Sequence, residues 1–242
     1  MAISKVKTAI IIPTIDEELN ISNLIKKIYD TLVDENFIIL VVDDNSKDNT
    51  VQIVKNLQEV HPNLYLLQRK SKRSIAKSYI EGFKYCIDLG CKKFVQMDAD
   101  YSHHPRYLSV IIEKLNENNL VIASRNVPDG FVIGWNLIRK IISKGGSLYS
   151  RLVLGCPIKD LTSSYNGWTL DILNRIDLNS ITSKGFCFHI EMKYKAYIKR
   201  ARIFEFPIIY MDRKHGKSKL NKRMIFEAFF NVIKIKMKNP IV

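Results

Sequence analysis

Short apolar runs and amphipathic stretches alternate through the first half of the chain. Ala9 to Ile12 ends at Pro13, Phe37 to Val42 at Asp43-Asp44, Leu64 to Leu67 at basic residues, Phe94 to Met97 at Asp98, and Leu120 to Ala123 at Ser124-Arg125. Apolar runs cut off by polar or turn-forming residues predict buried strands. The intervals Leu19 to Val33, Val51 to Val60, Ile75 to Leu89 and Tyr107 to Asn116 carry a helical period. Strand and helix in alternation predict an α/β fold, a mostly parallel central sheet with helices on both faces. Ligands gather at the carboxyl ends of strands in such sheets. Here those ends carry Pro13 with Asp16-Glu17, Asp43-Asp44, Asp98-Ala99-Asp100 and Arg125.

The pattern changes after Arg125. Asn136 to Leu154 predicts a basic amphipathic helix, Asp160 to Trp168 a polar loop, and Phe188 to Arg200 a helix leading into a strand from Ile203 to Met211. A charged loop, Asp212 to Asn221, precedes a last helix, Met224 to Lys238, whose polar residues form a narrow stripe and leave a wide apolar face. That face has two equal fates: packing on the core, or lying in a membrane interface with its lysines toward anionic lipid. No repeat, low-complexity tract or linker divides the chain, so residues 1–220 read as one domain, with 221–242 as a helix of that domain or an interfacial appendage.

Composition agrees with a folded domain: 242 residues, 46% hydrophobic and 26% charged. Charge adds more. Lys and Arg number 38 against 24 acids, a formal +14, and residues 199–238 hold twelve bases against three acids. An anionic partner follows: nucleic acid, anionic lipid, nucleotide or phosphorylated substrate. Cys86, Cys91, Cys156 and Cys187 form no CxxC pair and read as reduced, buried thiols. Residues 1–7 lack a signal-peptide apolar core, and no run approaches the ~20 apolar residues of a membrane span.

Asp98-Ala99-Asp100 is the sharpest local feature. Hard divalent cations take carboxylate oxygens, and i and i+2 on a strand point the same way, so both carboxylates can face one cleft. Taken alone, such a triplet is more often helix capping or solvated charge; the two further acidic strand ends strengthen the metal reading. In Asp43-Asp44-Asn45-Ser46-Lys47-Asp48 a turn and an N-cap at Ser46 or Asp48 leave Asp44 over, free to meet a base or ribose. His103 and His104 diverge at a helix entry, which favours packing or capping over a metal pair. GxGxxG and GxxxxGK[ST] are both missing, against a dinucleotide oxidoreductase and a P-loop NTPase.

Ile12 to Glu17, Val42 to Ser46, Met97 to Pro105, Gly134 to Ser143, Asp160-Leu161-Thr162, Ser183 to Phe186, and Asp212-Arg213 to Ser218-Lys219-Leu220 resemble, in that order, the dolichyl-phosphate mannosyltransferases of glycosyltransferase family 2. The resemblance runs from about residue 8 to 236. It implies a GT-A type fold, GDP-mannose as donor and dolichyl or another polyprenyl phosphate as acceptor. It implies that Pro13, Ile15, Glu17, Val42 and Asp44 line the guanosine pocket, that Asp98, Ala99 and Asp100 meet the donor, and that Asp100 and Ser102 contact Mg²⁺ or Mn²⁺. It also implies donor-phosphate contacts from Arg125, Arg213 and Lys219, and acceptor-phosphate contacts from Arg139 and Ser143. Asp100, Arg139 and Arg213 would then carry the catalysis.

The acceptor phosphate is already anionic, so it attacks without a dedicated base, and a single in-line displacement inverts the sugar to a β-linked product. Positioning and neutralisation are left to the protein. A lipid acceptor implies peripheral attachment to the cytosolic face of the endoplasmic reticulum or another internal membrane, through the surface itself or small membrane partner subunits. Nucleic acid is excluded as a partner, since neither stacking platforms nor a reading helix accompany the charge.

The chain departs from the family pattern at Ile15 and Asp16, which replace Tyr and Asn. It departs again at Arg73 to Ser78, where the family carries glycine, and at Ser163-Ser164-Tyr165-Asn166, which replaces Gly-Ser-Phe-Arg. Two alternatives follow: a family 2 transferase using UDP-glucose or a related donor, and a catalytically silent nucleotide- or partner-binding scaffold.

Overall fold

Every apolar run of the first half forms a strand and every amphipathic interval a helix. In chain order they are β1 (Thr8–Thr14), α1 (Ile21–Thr31), β2 (Phe37–Asp43), α2 (Thr50–Gln58), β3 (Leu64–Gln68), α3 (Ile75–Asp88), β4 (Lys93–Gln96), α4 (Leu108–Lys114) and β5 (Leu120–Ser124). The second half adds β6 (Phe131–Ile133), α5 (Leu137–Leu154), β7 (Asn166–Thr169), α6 (Leu170–Ile176), α7 (Cys187–Ile198), β8 (Ile203–Pro207), β9 (Ile209–Met211) and α8 (Lys222–Lys238). This computed structural model describes residues 7–33, 35–212 and 222–239.

The main sheet runs β3-β2-β1-β4-β7-β5-β8. All its strands are parallel except β7, which pairs antiparallel with both β4 and β5. Alternate residues feed separate cores. Ala9 and Ile11 join Tyr79 and Phe83 of α3 and Phe188 of α7 on one face, whereas Ile10 and Ile12 join Leu24 of α1 and Ile111 of α4 on the other. Both faces of β1 and β2 are therefore dry, which is why their sequences read as continuous apolar runs.

Three expectations are corrected. The polar loop from Asp160 to Trp168 contains the start of a central strand, β7. It is four residues long and brings only Trp168 as a large apolar side chain, because Gly167 must lie against α4: a Cβ there would stand 2.4 Å from Ile111 Cγ2. The single strand from Ile203 to Met211 is two, broken at Ile208, with β9 leaving the main sheet to pair with β6. Finally, β4 stops at Gln96, so Asp98 and Asp100 lie in the turn beyond it and strand alternation does not orient them.

α8 packs on the core through part of its apolar face and leaves the rest exposed. Val232 and Ile235 are buried against the core, while Phe229, Phe230, Ile233 and Met237 are exposed. Tyr149 of α5 stacks on Phe229 at 4.3 Å, and Lys236 Nζ donates to Leu154 O at 2.9 Å, tying α8 to α5. All four cysteines are buried and free, as small apolar side chains.

Candidate active site

Parallel pairing puts the carboxyl ends of β2, β1 and β4 side by side. Pro13 stands beside Val42 in register, and Met97 N donates to Ile11 O just past the end of β4. Two loops leaving these ends are laced together. Asp16 N donates to Ser46 Oγ (2.9 Å), Glu17 N to Thr50 Oγ1 (2.8 Å), Glu18 N to Asp48 Oδ2 (3.0 Å), and Lys47 N returns a bond to Asp16 Oδ1 (2.7 Å). Ser46 serves this lattice and Asp43 rather than capping α2, whose first amide, Thr50 N, binds Asp48 Oδ1. Asp16, Asn45 and Tyr101, one in each of the three loops, have positive φ. Asp and Asn tolerate that region; a tyrosine there is strained. Pro13, Ile15 and Glu17 are partly exposed along this rim, while Val42 is buried beneath it.

Asp44 is not left over. Arg69, buried at the end of β3, donates Nη1 to Asp44 Oδ1, and Ser74 N donates to Oδ2 at 2.6 Å. Arg69 also engages Glu81 through Nε at 3.0 Å and Nη2 at 3.1 Å.

Asp98 lies at the centre. Its carboxylate is 30% exposed and accepts from Tyr79 Oη at 3.1 Å and Ser164 Oγ at 2.9 Å. Its own N–H donates to His103 Nδ1 at 2.9 Å, so the ring proton sits on Nε2, 3.2 Å from Ser164 Oγ. His103 stacks on Tyr165 at 4.5 Å, and His104 Nδ1 accepts from Arg106 N at the 3₁₀ turn Pro105–Tyr107. Packing and capping are thus the roles of this pair. Burial lowers the His103 pKa against the pull of Asp98 and Asp100. Asp100 Oδ1 accepts from Ser102 N at 3.1 Å and Ser102 Oγ at 2.6 Å. Burial, reinforced by Asp100 and Asp98, pushes Tyr210 up to about 12, so the two carboxylates act on one region. Ala99 is buried between them.

The cationic side is built from Arg125, just past β5, and Arg139 on α5, with Asp212 after β9 as an acidic partner. Arg125 donates Nε and Nη2 to the two oxygens of Asp160 at 2.8 and 2.7 Å, and Nη2 also reaches Thr162 Oγ1 at 2.9 Å. Its guanidinium lies over Trp135 and Tyr210 at 5.7 and 5.4 Å. Burial would raise the Asp160 carboxyl, but Arg125 beside it holds it down at about 2. Arg139 pairs with Asp212 at 3.1 Å and lies over Trp135 at 4.1 Å. Arg139, Ser143 and Ser147 follow at helical i, i+4 spacing on one face of α5. Ser147 Oγ meets Thr162 Oγ1 at 3.1 Å, so this face turns toward Arg125. Arg213 and Lys219 lie outside the described residues.

Residues 9–176 match the family described as Glycosyl transferase family 2. The chain is 36% identical over 222 residues to an undecaprenyl-phosphate mannosyltransferase of Micrococcus luteus, covering 92% of this chain and 90% of that one. It is 35% identical to a polyprenol monophosphomannose synthase of Mycolicibacterium smegmatis, covering 93% and 85%. This chain belongs to glycosyltransferase family 2. Its GT-A fold is shared with glucosyl-3-phosphoglycerate synthase from Mycobacterium tuberculosis, solved with Mn²⁺, UDP and glucosyl-3-phosphoglycerate (TM-score 0.67, 15% identity, 97% of this chain and 80% of that one).

In this family 2 chain no three His, Cys, Asp or Glu side chains converge on a metal position among the described residues. Asp98 and Asp100 nonetheless fit a hard cation of the Mg²⁺ type, which takes one or two carboxylates and completes its shell with water and substrate phosphate. Ser102 is buried with its hydroxyl turned to Asp100.

Several site residues escaped the sequence. Tyr79, Ser164, Tyr210, Arg69 and Lys193 reach it only through tertiary contacts. Lys193 carried no distinct signal, because it is one of four ionisable residues (His189, Glu191, Lys193, Lys195) in the stretch Cys187 to Ala196 of α7 that the fold buries throughout. Asn166, where an arginine was expected, is buried in β7 with Nδ2 donating to Gln96 Oε1 at 3.3 Å.

Proposed function

We infer that this chain transfers mannose to a polyprenyl phosphate. The observation that carries this reading is the match, over 92% and 93% of the chain, to two enzymes named for that acceptor class and that sugar. The arrangement at the strand ends supports it chemically. An acidic pair, Asp98 and Asp100, faces a cationic side formed by Arg125 and Arg139, which suits two phosphate-bearing substrates whose repulsion must be neutralised.

In the finer reading the donor is GDP-mannose, with the nucleoside against Pro13, Ile15, Glu17, Val42 and Asp44. Asp98, Ala99 and Asp100 meet the diphosphate, and Asp100 with Ser102 holds the divalent cation. When bound, that cation offsets charge on the departing diphosphate. Arg125, Arg213 and Lys219 serve the donor phosphates, while Arg139 and Ser143 orient the acceptor phosphate. Arg139 is well suited to exchange its Asp212 partner for a phosphate, because its guanidinium keeps one face on the Trp135 ring. The acceptor oxygen is anionic, so no side chain need remove a proton; attack opposite the leaving diphosphate inverts the anomeric carbon.

The acceptor's lipid places this chemistry at a membrane surface. Leu137, Ile141, Leu148 and Leu152 form an exposed stripe on α5, next to exposed Phe229, Ile233 and Met237 of α8, with lysines on both helices. No helix among the described residues is long and apolar enough to cross a membrane. Paired amphipathic helices suit lying on one. Both relatives are bacterial, which supports a membrane surface in general and not the endoplasmic reticulum in particular.

The test is product analysis: purified protein, polyprenyl phosphate in detergent, Mg²⁺ or Mn²⁺, and radiolabelled GDP-mannose or UDP-glucose. Mannosyl lipid from GDP-mannose is expected. Glucosyl lipid from UDP-glucose, with GDP-mannose inert, overturns the donor assignment.

A further inference from the structure

Beneath the cationic side lies a side chain that the reaction as described does not use. Lys193 on α7 is fully buried. An ammonium carries three N–H donors, and here each finds a backbone carbonyl of one short loop: Asp160 O at 3.1 Å, Leu161 O at 3.1 Å and Ser163 O at 2.5 Å. Drawing these carbonyls to one point turns the loop's side chains the other way. The Asp160 carboxylate and Thr162 hydroxyl go to Arg125, Ser163 Oγ to Ala123 O at 2.8 Å, and Ser164 Oγ to Asp98 Oδ2 at 2.9 Å. The start of the loop is held independently, Lys159 N and Asp160 N donating to Glu205 at 2.7 and 2.9 Å. Glu205 reaches no further than Asp160; beyond it Asn166 Nδ2 also donates to Ser163 O at 3.1 Å and Ser163 Oγ is tied to Ala123 O, but Lys193 is the group that gathers all three carbonyls.

We propose that Lys193 is a positioning residue for donor binding, setting residues 160–164 so that Arg125 and Asp98 stand in their donor-binding geometry. A buried lysine is an expensive way to fill space: burial pushes its ammonium down to about 7 even with Asp160 pulling it up. A leucine or methionine would occupy that volume without the cost of desolvating a charge. What only a multiple donor supplies is convergence of three carbonyls.

The proposal rests on the mannosyltransferase reading, and its experiment separates the two. Lys193→Met keeps the volume and removes every donor; Lys193→Gln keeps two N–H groups without the charge. In transfer assays, Lys193→Met is expected to raise the donor KM about tenfold or more, because a loop displaced by an ångström is costly to a bound geometry. The acceptor KM stays within about twofold, and Lys193→Gln falls between Met and wild type. Hydrogen exchange, which needs no substrate, is expected to speed up over residues 160–165 in Lys193→Met while the helices keep their protection. Wild-type protein inert toward every donor would sink the mannosyltransferase reading but leave the exchange result to decide on Lys193. An active wild type with an unchanged donor KM in Lys193→Met, or unchanged exchange over 160–165, overturns the proposal. So does failure of both variants to fold, which assigns the lysine to the core as a whole.

Discussion

At the scale of single residues, the site is held by charges taken out of water and satisfied by one another. Asp160 shows this best, fully buried between Arg125 and the backbone. Its carboxyl is held at about 2, from an ordinary 3.8, by Arg125 working against burial. The folded state therefore binds this proton less readily than the unfolded chain. Above about pH 4 the pair's contribution is fully present; as pH falls toward 2 the unfolded state takes up the proton first and stability is lost. The shift corresponds to roughly 2 kcal/mol. Urea unfolding between pH 5 and 2 measures it. The wild type is expected to lose that amount more than an Asp160→Asn variant over the same window. Asp160→Asn is itself destabilised at neutral pH, because Arg125 is then a buried charge without a counter-ion. A variant whose pH slope matches the wild type would show that other carboxylates govern the acid limb.

At the scale of elements, most of the frame was legible because strands buried on both faces are apolar along their centres, as β1, β2 and β5 are, while the edge strand β3 and the short β4 still carry an apolar run. β7 breaks that pattern. Asn-Gly-Trp-Thr looks like a loop, and its membership of the sheet rests on long-range fit: Trp168 Nε1 donates to Gln96 Oε1 at 2.8 Å, and Gly167 lets α4 close down. Locally its residues disfavour a strand, and only neighbours distant in sequence reverse that preference. The candidate site divides in the same way. Strand ends were legible as positions, and Asp98, Asp100 and Arg125 lie just past β4 and β5, although the turn and not strand alternation orients the two aspartates. Partners such as Arg69 on Asp44 and Lys193 under the 160–164 loop depend on packing that no local period reveals. The glycines give a direct test. Gly167→Ala sets a methyl 2.4 Å from Ile111 Cγ2 and 2.9 Å from Leu115 Cδ1, so buried side chains must shift, and it is expected to cost about 1–3 kcal/mol. Gly145 lies inside α5 with nothing within 4 Å of where an added methyl would stand, so Gly145→Ala is expected to stabilise by about 0.5–1 kcal/mol through helix propensity. Denaturant midpoints of the two variants should move in opposite directions. If both move down, α5 needs its glycine for a reason other than space.

At the scale of the molecule, the question is how a strongly basic enzyme meets an acceptor anchored in lipid. Net charge of +14 attracts any anionic surface, and attraction of that kind fades with salt. Apolar insertion does not fade in that way, and the exposed stripes of α5 and α8 supply the apolar area, that of α5 on a different face from the one carrying Arg139 and Ser143. The two contributions are separable. Leu152 and Met237 are 74% and 76% exposed, so Leu152→Glu with Met237→Glu should leave the fold intact while placing two anions on the face proposed to enter the interface. Flotation with vesicles of phosphatidylglycerol and phosphatidylcholine then reads both effects. The wild type is expected to float at low salt and to retain part of that binding at about 0.5 M NaCl, where screening is nearly complete, the retained part reporting insertion. The double variant is expected to lose the salt-resistant part, and its transfer to a detergent-dispersed acceptor should be unchanged. Equal flotation of the two proteins at high salt would move the membrane contact away from these helices. Loss of activity in detergent would instead mean that α5 and α8 hold the acceptor itself.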